Sequence, residues 1–76
     1  MKITLEYVSM LDIKAENGAD VEVQSGLSVE EFLEKYGLSR TQRRYIQPFV
    51  NGEKERLTTE LKDGDTLYLI IPAGGG

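Results

Sequence analysis

The sequence predicts an α+β domain in which a single helix covers one face of a mixed sheet, and three observations carry that prediction. Strand-like alternation occupies residues 2–8, a capped amphipathic helix follows at 29–36, and an apolar strand-forming stretch runs over 66–71. The chain has 76 residues, enough for one domain. A chain of that size buries a smaller share of its surface than a larger one, so its core must be regular.

In residues 2–8 the apolar Ile3, Leu5 and Tyr7 alternate with Lys2, Thr4 and Glu6, the pattern of a strand with one buried face. Over 20–24, Val21 and Val23 alternate with Asp20, Glu22 and Gln24 after the turn-prone pair Asn17-Gly18. This predicts a second strand joined to the first by a loose connection. Ser28-Val29-Glu30-Glu31 then spells a capping box, in which the serine oxygen accepts from a helical amide and Glu31 accepts from the serine amide. Val29, Phe32, Leu33 and Tyr36 fall at i, i+3, i+4 and i+7 and form one apolar stripe, and Gly37 suits the left-handed position just past the helix.

Residues 38–47 predict a brief helical or irregular crossing segment, capped by Ser39 with Gln42 and ended by Pro48. Phe49-Val50 leads into the turn pair Asn51-Gly52, with a short returning strand over 53–57. A second turn, Lys62-Asp63-Gly64-Asp65, precedes residues 66–71, which are strand-forming and apolar on both faces and so predict a central strand. Pro72-Ala73-Gly74-Gly75-Gly76 has no packing group beyond a ring and a methyl. The chain is therefore expected to divide into a domain, 1–71, and a flexible glycine tail, 72–76.

Composition excludes most catalytic classes. With no cysteine there is no thiolate nucleophile, thiolate ligand or disulfide, and with no histidine the usual neutral-pH base and commonest transition-metal ligand are missing. Ser9, Ser25, Ser28 and Ser39 have no histidine to activate them. Asp63-Gly64-Asp65 lacks the ligand ladder and closing glutamate of a calcium loop and is expected to be only a turn. No catalytic residue and no metal site is expected. Thirteen acidic against nine basic residues give a net charge of −4, which repels nucleic acid and favours a basic protein partner. Arg40, Arg43, Arg44 and Tyr45 form the one basic aromatic cluster, expected to be a solvated helical face that pairs with nearby glutamates. The N-terminal residues enter the strand pattern without the features of a signal peptide, and the apolar run from Leu67 to Ile71 is too short to span a bilayer. A soluble cytoplasmic protein with no membrane partner is expected.

Val50-Asn51-Gly52, then Leu61-Lys62-Asp63-Gly64-Asp65, a hydrophobic strand, Pro72 and a final Gly75-Gly76 recur in an order and spacing that resemble the ubiquitin-like sulfur carriers of the ThiS and MoaD type. The resemblance spans essentially the whole chain in element order, size and ending. One departure is Gly74, where such carriers often have alanine or serine. The resemblance implies a ubiquitin-like β-grasp fold, with a sheet of four to five strands and one main helix packed on one face. It also implies a chemistry centred on the Gly76 carboxylate, carried by the tail Gly74, Gly75 and Gly76. An adenylating, E1-like partner would use ATP to turn that carboxylate into an acyl-adenylate, and sulfur would then displace AMP to leave a thiocarboxylate. The chain would bind no cofactor and would be a substrate rather than an enzyme. Its other partners would be a sulfur donor and a sulfur-accepting synthase of molybdopterin or thiamin biosynthesis. It would be a monomer when free and part of a hetero-oligomer when docked.

Alternation places Leu67, Leu69 and Ile71 on one face of the last strand and Tyr68 and Ile70 on the other. With the first set under the helix, Tyr68 and Ile70 form an apolar patch on the open face next to Pro72 and the tail, a candidate docking surface. A sheet covered on both faces would make the same residues structural. Two further readings share the ending: a ubiquitin-like modifier joined to lysines through Gly76, and a β-grasp interaction module with an inert tail.

Overall fold

A computed structural model describes residues 1–72. In chain order the elements are β1 (Lys2–Tyr7), β2 (Asp20–Glu22), α1 (Val29–Lys35), α2 (Arg40–Arg43), β3 (Gln47–Val50), β4 (Glu53–Lys54) and β5 (Thr66–Ile70). The sheet order is β2-β1-β5-β3-β4. The first and last strands pair in parallel at its centre, with Leu5 opposite Leu67 and Tyr7 opposite Leu69, while the other neighbours are antiparallel. This is an α+β, ubiquitin-like β-grasp.

The alternation of β1 and β5 explains the core. Ile3, Leu5, Leu67 and Leu69 turn to one face and meet Val29, Phe32 and Leu33, the stripe of α1, and all seven are buried. Each large side chain so enclosed contributes about 1.5–3 kcal/mol by leaving water. Phe32 of α1 and Tyr36, the residue that caps its C-terminus, pack with ring centroids 4.7 Å apart and planes tilted by 41°. The helix starts where its capping box requires: Glu31 N–H donates to Ser28 Oγ at 3.1 Å, and Ser28 N–H donates to Glu31 Oε1 at 3.0 Å. It ends at Lys35 with Tyr36 as its C-cap, and the chain turns away at Gly37, whose φ of +96° is left-handed.

Four expectations are corrected. First, Pro48 does not end the second helix. That helix stops at Arg43, after one turn capped by Ser39 and Gln42, and Pro48 lies buried within β3 opposite Leu69. On the β4 side Glu55 N–H donates to the Pro48 carbonyl at 3.0 Å, and the Glu55 carbonyl, which an N–H at position 48 would face, accepts instead from Gln47 Nε2 at 2.9 Å, so the missing proline donor leaves no acceptor unpaired there. Second, β4 is two residues long rather than five, since the chain turns again at Arg56–Thr59, where Thr59 N–H donates to the Arg56 carbonyl. Third, Arg43 is not on a solvated face. It is 7% exposed, its guanidinium donates to the Leu38 carbonyl at 2.7 Å, and its Nε lies 3.8 Å from Glu30 Oε1. Arg43 thus ties α2 to α1: the Leu38 carbonyl accepts from its guanidinium, and Glu30, the glutamate partner expected of the cluster, supplies an opposite charge near Nε, which makes no hydrogen bond of its own among the described residues. Fourth, Ile71 leaves the core set: it lies past the end of β5 and is 39% exposed.

The two turns quoted for the resemblance meet in space. Asn51 and Gly52 both have positive φ, +52° and +84°, as a two-residue hairpin turn between twisted strands requires. Asn51 Oδ1 accepts from Thr66 N–H and its Nδ2 donates to Asp65 Oδ1, both at 2.9 Å. Asp65 Oδ2 accepts from Lys62 N–H, and Asp63 Oδ1 accepts from Lys2 N–H at 2.7 Å. These bonds lock the start of β5 to the β3–β4 turn and to β1.

Candidate functional site

β5 is the central strand, so its far end sets where the tail leaves the domain. There Val8 N–H donates to the Leu69 carbonyl at 3.2 Å on the β1 side, and Ile70 stands opposite Gln47 on the β3 side. Two residues beyond the strand stands Pro72, half-buried, which has no N–H to extend the ladder. Gly74, Gly75 and Gly76, expected to be the reactive tail, lie outside the described residues.

Tyr68 and Ile70 stand two residues apart on the face of β5 opposite the helix, as the alternation predicts. Tyr68 is 40% exposed and Ile70 is half-buried. The sheet register adds a neighbour that sequence reasoning did not single out. Phe49 of β3 lies opposite Tyr68, their rings tilted at 45° with centroids 6.4 Å apart. Its signal was available in the alternation of 47–50, since Pro48 and Val50 are buried and Phe49 therefore faces outward. On the same row, Glu6 of β1 and Lys54 of β4 flank the two rings. The open face thus presents an apolar strip of Phe49, Tyr68 and Ile70 with a charge at either side, leading toward Pro72.

Such a strip is suited to binding a partner. Its only charged neighbours on that row are the single side chains of Glu6 and Lys54, and the carboxylates of Asp63 and Asp65 at the other end of β5 are engaged by backbone amides. Among the described residues no group of three or more acidic side chains is placed to hold a metal ion. No helix among them is long and apolar enough to cross a membrane.

The β-grasp with an apolar strip on its open face beside the β5 exit places the chain among small ubiquitin-like domains. The chain is similar in structure to SAMP1 from Haloferax volcanii, with a TM-score of 0.66, 18% identity and 100% of each chain covered, which establishes the fold. No curated protein matches the sequence. The ThiS family model matches residues 9–76, and the chain belongs to the ThiS family.

Proposed function

We propose that this protein is a sulfur carrier whose Gly76 carboxylate is the covalent attachment point. The observation that carries this reading is the ThiS family match, which runs through the diglycine to residue 76. A carboxylate resists attack because oxide is a prohibitive leaving group. An E1-like partner therefore joins it to ATP, releasing pyrophosphate and leaving an acyl-adenylate. Hydrosulfide then adds to the acyl carbon, the bond to AMP breaks, and a thiocarboxylate and AMP result, with one proton released. The thiocarboxylate passes its sulfur to an acceptor in cofactor biosynthesis of the molybdopterin or thiamin type. All catalysis belongs to the partners, and the carrier acts in the cytoplasm.

Glycine at positions 75 and 76 follows from access, because a β-carbon would obstruct a narrow channel leading to ATP. The apolar strip Phe49, Tyr68 and Ile70, with Pro72 beside it, is the docking surface whose burial offsets the entropy lost when the tail is ordered. Intact mass spectrometry after incubation with ATP, sulfide and a candidate adenylating enzyme tests this. The expected product has one oxygen of Gly76 replaced by sulfur, and a Gly76-deleted control stays unchanged. Conjugates to lysines of other proteins that survive thiol treatment would instead make the chain a modifier.

A further inference from the structure

Among the described residues, four large apolar side chains stand notably open, and three of them line one groove: Met10 at 73%, Tyr45 at 61% and Ile71 at 39% exposed. Leu11 and Leu38 complete its apolar lining, and its volume is about 340 Å³. The groove is assembled from the segment after β1, the α1–α2 connection, the turn after α2 and the residue that follows β5. Leu38, a member of the core under α1, lines it, so it lies toward the helix side of the sheet, whereas the strip of Phe49, Tyr68 and Ile70 is on the open face.

We propose that this groove receives an apolar segment of the adenylating partner, so that the partner grips the β5 exit from both faces. The inference rests on the sulfur-carrier reading above. Gly76 lies five positions beyond Ile71, a reach of at most about 18 Å. An enzyme that encloses the Gly76 carboxylate must therefore come close to the groove. Between Pro72 and the terminus the tail brings backbone groups but no apolar side chain beyond the Ala73 methyl. Apolar binding energy for ordering it therefore has to come from the folded surface upstream. A single methyl is also too small to fill the groove, which excludes the tail as its occupant. A grip on the open face alone would leave the exit free to pivot, whereas a second hold on the opposite face fixes the direction in which the tail leaves.

The test uses the adenylating enzyme that passes the mass-spectrometric assay, with Met10→Glu, Tyr45→Glu and, as an exposed control outside the groove, Thr58→Glu. The positions substituted are exposed, and circular dichroism confirms that each variant folds. The expected result is a KM for the carrier raised about tenfold or more by each groove variant, with kcat little changed and Thr58→Glu at the wild-type value. The Gly76-deleted protein should compete with the wild type, and adding Met10→Glu to it should weaken that competition by a similar factor. Wild-type KM for both groove variants would overturn the proposal while leaving the sulfur-carrier reading intact. Absence of adenylation of the wild-type protein by every such enzyme would overturn both. A wild-type dimer that Met10→Glu converts to a monomer, with adenylation unchanged, would make the occupant a second copy of the chain and overturn the proposal.

Discussion

At its start β5 is fastened by polar groups, with Asn51 bonded to both Thr66 and Asp65 and with Asp65 bonded in turn to Lys62. At its exit the same strand is held by packing, with buried Leu69 between Tyr7 and Pro48, and past it the side chains of Ile70 and Ile71 turn to opposite, partly open faces. The first end has its hydrogen-bonding groups matched within the domain, so little is left for a partner. The second end keeps apolar surface in contact with water, and that surface gains most from being covered. One strand thus joins a closed end to an open one, and the tail issues from the open one.

The comparison can be broken at either end. Leu69→Ala removes a wholly buried side chain from the packed exit and should cost about 2–5 kcal/mol in chemical denaturation, the largest effect expected here. Asn51→Ala removes two hydrogen bonds from an exposed turn and places a β-carbon at φ +52° without the local bonding that lets asparagine adopt it. Its cost should be about 1–3 kcal/mol. If the asparagine variant proved the more damaging, the polar lock rather than packing would hold β5, and the contrast between its ends would fail.

A smaller effect sharpens the rule that exposed polar fastenings each contribute little. The two capping boxes differ in charge, since Ser28 is matched by Glu31 and Ser39 by Gln42. The bond from the Ser28 backbone amide, and then that with the Ser28 side chain, hold the Glu31 carboxyl below its ordinary value. A depressed carboxylate adds stability that is present above its unfolded pKa and is lost as pH falls through the folded one. Glu31→Gln should therefore flatten the acid limb of a stability–pH curve below the ordinary glutamate range while changing little near neutrality. An unchanged acid limb in that variant would show that the α1 cap acts, like that of α2, without charge.

Much of this was legible in residues alone, because the relevant forces act over a few positions. Helical spacing with the Ser28 box and Gly37 marked α1, alternation marked β1 and β5 and assigned Tyr68 and Ile70 to the open face, and the quoted turns pointed to the ThiS family. Other features depended on which segments came to lie side by side. Phe49 joined Tyr68 only through the pairing of β3 with β5, Arg43 was buried only because α2 closed on α1, and Asn51 met Asp65 across fourteen positions of sequence. Ile71 followed the alternation of a core residue yet stands open, because the strand ends one position before it. Periodicity and capping are local and are written in the chain. Strand length, register and the closing of one element on another are settled only when the whole sheet forms, and these decide which surfaces at the root of the tail stay exposed.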